Sequence, residues 1–367
     1  MSEKNNVIKR FDNWLTDDSD VAALVMRQWL EPVEGRDAVL FPPTYAKPER
    51  MKEEDWTGYN LDRFEDGMSV CQIDSVGSQA NRMEPIFLRD KYKALVPQVV
   101  IEANGKEINL LDAGHRAADA IVRFSSLAHE LESAFQAVRE GDASKIAKIA
   151  PTSLVFGAWD SRATQVKLPR IVRSVIRAFQ VRALHRSAQY IPPIDYVERG
   201  LVDGKQQQDA LSQQGLSHAP APWTHGGILV EKEIRRDATL NLAALRSLGA
   251  EPSSELPVRR YILGLSLVAF TAPQESFLRE GCQLVPDAGR PAAWALVRHD
   301  GSRDKSFTVS HDDALAYAKG AADAFGVGPE RKETFKADAA KNALGQSKKE
   351  LKASRGKGSK TESEPKA

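Results

Sequence analysis

Lys167-Leu-Pro-Arg-Ile-Val-Arg-Ser-Val-Ile-Arg-Ala-Phe-Gln-Val-Arg-Ala-Leu-His185 is the stretch on which the reading of this chain turns. Wound as an α-helix at about 100° per residue, it brings Arg170, Arg173 and Arg177 within about 60° of one another. Ile171, Val172, Val175, Ile176 and Phe179 then fall on the opposite side. The spacing therefore predicts a helix over 167–185 with one face buried and a stripe of three arginines on the other. Arginine donates bidentately to phosphate oxygens, so such a stripe suits a polyanion backbone. A solvated charged face is the plainer alternative. It would ordinarily carry acids, and none stands between Asp160 and Asp195.

The surrounding sequence reinforces the charge pattern. The whole chain of 367 residues carries a formal charge of only +1. Residues 151–190, however, hold seven Lys/Arg (Arg162, Lys167, Arg170, Arg173, Arg177, Arg182 and Arg186) against the single acid Asp160. Patch charge rather than net charge steers a polyanion. A second basic stretch, 331–367, has 11 Lys/Arg against 5 Asp/Glu and ends in Lys-, Gly- and Ser-rich sequence. That composition predicts a disordered tail, either a weak nucleic-acid arm or a solubilising one.

Periodicity and turn residues outline an α+β chain. Helices are predicted over 10–30, at the start of 75–90 before Pro85, over 116–140 up to Gly141, over 237–248 and over 312–325. Strands are predicted at 70–74, at 97–101 and 108–111 flanking the Asn104-Gly105 hairpin turn, and at 154–156, 258–270 and 293–298. Residues 30–66 and 199–227, rich in Pro, Gly and polar residues, read as loops or inserted lobes. There is no regular βαβ alternation and no GxGxxG loop. The longest apolar run, Tyr261–Phe270, is too short to span a membrane, and Met1-Ser-Glu-Lys-Asn-Asn6 shows no apolar h-region behind a basic start, so a cytoplasmic location without membrane contact is expected. The two cysteines, Cys71 and Cys282, stand outside any metal-ligand spacing and read as small buried hydrophobes.

Three segments carry a family resemblance. They are Val70-Cys-Gln-Ile-Asp-Ser-Val-Gly-Ser-Gln-Ala-Asn-Arg-Met-Glu84, Pro151-Thr-Ser-Leu-Val-Phe-Gly-Ala-Trp-Asp-Ser-Arg162 and Leu168–Phe179. Ala113-Gly-His-Arg116, Ser187-Ala-Gln-Tyr190 and Leu211-Ser-Gln-Gln-Gly-Leu216 add to it. Together they resemble the RAMP-superfamily backbone subunit of type I-U (I-G) CRISPR effector complexes. The resemblance spans roughly residues 68–275. It departs from the pattern of many RAMP proteins near the C-terminus, where Pro286-Asp-Ala-Gly-Arg-Pro291 stands in place of a glycine-rich loop. The resemblance implies an RRM-like, ferredoxin-type palm with inserted finger and thumb lobes. It also implies copies lined up head to tail along one CRISPR guide RNA, other Cascade subunits beside them, and target DNA met through the guide.

Candidate RNA-contacting residues follow from both readings. Ser78, Gln79, Asn81 and Arg82 crowd polar donors onto a helix start, where free N–H groups favour anions; the same residues suit a capping cluster under Asp74 or Ser75. His115, Arg116 and Arg123 form a basic helix entry, or a set of helix-start hydrogen-bond partners. Trp159, beside Arg162 and Lys167, is either a stacking platform for a base or a core tryptophan with Asp160 as a turn residue. Arg170, Arg173 and Arg177 complete the set. No nucleophile elbow, zinc-protease or Walker motif occurs, and no cofactor or metal is expected. The leading reading is a non-catalytic RNA-binding subunit. The alternatives are a metal-dependent RNase using Asp160 or Asp74, and a scaffold that contacts protein alone.

Overall fold

In the computed structural model, residues 7–52, 56–203 and 208–345 are described. The stretch 167–185 is not a helix. After a two-residue strand at Lys167–Leu168, the chain runs as one long strand, β2, from Val172 to Tyr190. Its β-branched residues Val172, Val175, Ile176 and Val181 suit the pleated backbone better than a helix. Residues 10–30 are likewise corrected: a short 3-10 turn, Asp12–Trp14, precedes strand β1, Val21–Pro32. The last nine residues of the predicted loop at 199–227 and the first five of the predicted helix at 237–248 belong to a third strand, β3, Ala219–Asn241. Only Leu242–Arg246 is helical there.

Strand β3 pairs antiparallel with β1 on one edge (Ala23 opposite Asn241) and with β2 on the other (Leu240 opposite Val172). Strand β4, Ala293–Arg298, pairs antiparallel with the far edge of β1. The spatial order is thus β4-β1-β3-β2, with β1 and β2 parallel across the intervening β3. Ser69–Asp74 extends the sheet beyond β2, and Cys282–Pro286 pairs with the end of β1. The distal halves of β2 and β3 continue as a two-stranded arm, with Tyr190 opposite Ala219.

Helix α1, Val76–Met83, follows the 69–74 strand, and Pro85 sits in the 3-10 turn that ends it. The predicted long helix over 116–140 is interrupted: a 3-10 turn at Arg116–Ala118 and a single turn at Ala120–Arg123 precede helix α2, Ala128–Arg139. Thr152–Phe156 is a helical turn rather than a strand. Residues 258–270, predicted as a strand, lie within helix α3, Glu255–Thr271. A helix that is apolar all round is a buried one, and α3 runs through the main core. Helix α4, His311–Phe325, packs across it. The expected tail starts late: Arg331–Thr334 pairs in parallel with Val99–Ala103. The Lys- and Gly-rich segment 348–360 lies outside the described residues. No described helix is long and apolar enough to cross a membrane.

The α3–α4 crossing is close because Gly264 has no side chain. A Cβ there would lie 2.8 Å from the Cα of Ala318. Gly264→Val is therefore expected to lower the unfolding free energy by about 1–3 kcal/mol through overpacking, read as a lower urea midpoint. An unchanged midpoint would show that the two helices separate freely.

Candidate nucleic-acid interface

The cleft is built around α1. Ser75 caps the helix, its hydroxyl accepting from the Ser78 amide at 3.1 Å. Gln79 is buried beneath, donating to Asp74 Oδ2 at 2.7 Å and accepting from the Ser174 hydroxyl at 2.7 Å. Arg82 turns away to Asp74 at 3.2 Å and to the Leu278 carbonyl at 2.7 Å. Gln79 and Arg82 thus tie α1 to the sheet. Gly77 and Asn81 face outward and form one wall of an open cleft of about 790 Å³. The opposite walls come from Gly114–Arg116, from the hairpin formed by Ala158–Trp159 and Lys167–Leu168, and from Arg170.

Arg116 joins these walls. Its side chain is buried and donates to the Gly157 carbonyl at 3.3 Å and to Asn81 Oδ1 at 3.1 Å. Its Nε lies 2.7 Å from Glu84 Oε2, and its guanidinium stands 5.3 Å from the Phe156 ring centroid. The backbone of Arg116 adopts φ +55°, a left-handed conformation that costs about 1–3 kcal/mol and persists only where surrounding contacts impose it. Gly157, at φ +78°, makes the matching close approach: a Cβ there would sit 2.8 Å from Arg170 Cγ. Glu84 and Gly157 were not among the sequence candidates. A glycine closing the Val155-Phe156-Gly157 segment is the kind of signal that points to such a position.

The charge of the cleft is one-sided. Arg116, Lys167 and Arg170 line it together with His115, and among the described residues no carboxylate does. Asp160 is buried beside it and accepts from Thr164 N at 2.8 Å, Thr164 Oγ1 at 2.7 Å and Ala163 N at 3.2 Å. Those bonds hold its carboxyl below the usual range despite its burial. Burial, with Arg116 nearby, lowers the pKa of the Arg170 guanidinium, which donates to the Val76 carbonyl at 3.2 Å. Trp159 is 57% exposed, so it is no core tryptophan, and Lys167 Nζ stands 5.8 Å from its ring centroid.

Of the sequence candidates, Asn81, His115, Arg116, Trp159, Lys167 and Arg170 therefore share one cleft. The others do not. Ser78 serves the helix cap through its amide, and Gln79 and Arg82 are internal ties. Arg123 lies over the Phe124 ring at 4.8 Å, and Arg162 is exposed on the turn that Asp160 closes. The three-arginine stripe does not form. Arg170 precedes β2, whereas Arg173 and Arg177 lie within it, opposite Thr239 and Arg235. There Arg235 stacks 4.0 Å from the Phe179 ring centroid and pairs with Glu233 and Asp237.

Residues 24–183, under half of the chain, match the sequence model of a family described as CRISPR-associated protein GSU0053. Every residue lining the cleft lies inside that span. No curated protein matches the chain. Among solved structures, a chain of a "CRISPR RNA-guided surveillance complex, pre-nicking" is similar with a TM-score of 0.33 and 12% identity, over 83% of this chain and 90% of that one.

The Arg116–Glu84 pair has a measurable pH signature. Burial pushes the Glu84 carboxyl up to about 7, Arg116 opposing the shift without overcoming it. One oxygen, Oε1, has no hydrogen-bond partner. Between about pH 4.5 and 7 the folded chain thus binds more protons at this site than the unfolded chain does. Its contribution to stability is greatest below that window and falls as pH rises through it. Glu84→Gln is expected to flatten the profile of urea midpoint against pH over this range; the same slope in both proteins would rule Glu84 out as its source.

Proposed function

We propose that the chain is a guide-RNA-binding subunit of a CRISPR interference complex, a RAMP-type backbone protein of the I-U/I-G class that works in the cytoplasm and does no catalysis. One observation carries this reading. Residues from three separated segments, all inside the span similar to a CRISPR-associated family, converge on a single cleft that holds cations and no described carboxylate. Lys167 and the Arg170 donors not given to Val76 can meet phosphate oxygens, and His115 and the Asn81 amide nitrogen phosphate or ribose; none of these contacts reads sequence. The exposed Trp159 offers a base a stacking surface that tolerates any sequence. The β4-β1-β3-β2 order is that of the split β-α-β of ferredoxin-type domains, which supports an RRM-like palm with the β2–β3 arm as an inserted lobe.

Copies would follow one another head to tail along the guide, a heterologous contact that needs no closed symmetry. They would stand beside other Cascade subunits, and the guide's bases would select target DNA. The RNase alternative has less support: both of its candidate acids, Asp74 and Asp160, are engaged in internal hydrogen bonds.

The test is salt-dependent binding of the purified chain to an unrelated single-stranded RNA of roughly 40 nucleotides. Cooperative, salt-weakened binding without cleavage is expected. The double variant Lys167→Ala/Arg170→Ala should reduce the slope of log affinity on log salt by about 1.4, at about 0.7 per phosphate contact. Trp159→Ala should cost about 1–3 kcal/mol per bound copy. Arg173→Ala/Arg177→Ala should matter less, since these residues lie outside the cleft. Full binding by the Lys167/Arg170 variant would remove the cleft from the RNA path, and metal-dependent cleavage would move the RNase reading ahead.

A further inference from the structure

On the face of the sheet away from Arg173 and Arg177, β3 carries a second buried arginine. Arg236 is 3% exposed. Its described hydrogen-bond partners are all neutral. Nε donates to the Ser174 hydroxyl at 2.9 Å, Nη1 reaches Gln28 Oε1 at 3.4 Å, and Nη2 reaches Met83 Sδ at 4.0 Å. The four N–H groups on its two terminal nitrogens therefore have only long contacts within the protein. No described carboxylate forms an ion pair with it, in contrast to Arg116, which has Glu84. Burial alone pushes its pKa down to about 10, which still leaves it charged at neutral pH. A buried cation without a counter-charge is costly, and proteins ordinarily supply a partner.

The guanidinium lines a cavity of about 350 Å³ between the sheet and the 271–286 segment. Ile176, Phe270 and Trp294 give this cavity apolar walls, and Gln28 and Ser276 add polar ones. Glu275, also on its lining, is an exposed residue and makes no described ion pair with Arg236. The volume falls within the range of small-molecule sites, which are mostly apolar with a few fixed polar groups.

We infer that this cavity is a binding site for a small amphipathic carboxylate, whose head group takes the free donors of Arg236 while its apolar body lies against Phe270 and Trp294. The site is separate from the α1 cleft and does not depend on RNA binding. A pocket with one arginine among mostly apolar walls suits a single anionic group on a short apolar chain better than a phosphate-rich polymer.

Octanoate is the probe, with octanol as its uncharged counterpart, titrated calorimetrically into the full chain. Octanoate is expected to bind the wild-type protein at least ten-fold more tightly than octanol does. Arg236→Met keeps the shape of the side chain and removes the charge, so it should stay folded, melt no lower than the wild type, and lose at least ten-fold in octanoate affinity. Ala292→Trp, which narrows the cavity without touching the arginine, should weaken both ligands and decides the matter if Arg236→Met does not fold. The inference is overturned if the wild type fails to bind octanoate, if octanol binds as tightly, if Arg236→Met binds octanoate as well as the wild type, or if Ala292→Trp leaves both ligands unaffected.

Discussion

Strand β3 is hydrogen-bonded along both of its edges, and the rest of the molecule is arranged around that pairing. Its register against β1 and β2 puts Ile234, Arg236, Ala238 and Leu240 on one face and Glu233, Arg235, Asp237 and Thr239 on the other. A slip of one residue would exchange the two sets. Ala238 and Leu240 join the core that holds α3 and α4, and Ile234 packs in a second cluster with Leu30 and Ile176. On the other face Asp237 is taken by Arg27 and Arg235, and Glu233 by Arg235 and Arg290. In the α1 cleft the described cations outnumber their single buried counter-charge, Glu84.

The cleft in turn depends on Arg116. Two neutral acceptors on opposite walls, the Gly157 carbonyl and Asn81, converge on its guanidinium, and Glu84 holds it from below. Such an arrangement fixes the spacing of the walls before any ligand arrives, and preorganisation lowers the cost of binding. Arg116 is thus best understood as a positioning residue. Lys167 and Arg170 line the same cleft and, unlike Arg116, are exposed.

Much of the fold was legible in the sequence, and the failures have specific causes. The Asn104-Gly105 hairpin, the 70–74 strand, α1 up to Pro85, β4 and α4 all rest on local signals that tertiary packing reinforces. The 167–185 segment failed because Arg173 and Arg177 are four apart, a spacing that puts two residues on one face of a helix and equally on one face of a strand. Only Arg170, at odd spacing from both, distinguishes the two, and it lies just outside the strand. The segment from Val258 to Phe270 failed for the converse reason: its nearly unbroken apolar run, Tyr261–Phe270, has no periodicity to read, and its length of thirteen residues was the better clue to a helix. For the site, sequence marked six of the cleft residues. It also marked Gln79 and Arg82, which resemble ligand contacts only until their partners Asp74 and Ser174, supplied by neighbouring strands, are known.

Two of the buried arginines, Arg116 and Arg236, make the same point from opposite sides. Arg116 and Arg236 are equally hidden, and neither stands out in composition. What separates them is whether the chain returns a carboxylate to the guanidinium. Glu84 does so from 32 positions upstream in the turn that follows α1. For Arg236 the neighbouring positions on β1, β2 and α1 supply Gln28, Ser174 and Met83, none of which can carry charge. Substituting an apolar residue at position 236 would have removed the desolvation cost outright. A chain that keeps the arginine, and leaves a cavity rather than a side chain in front of it, has the form of a site that waits for its counter-ion from outside.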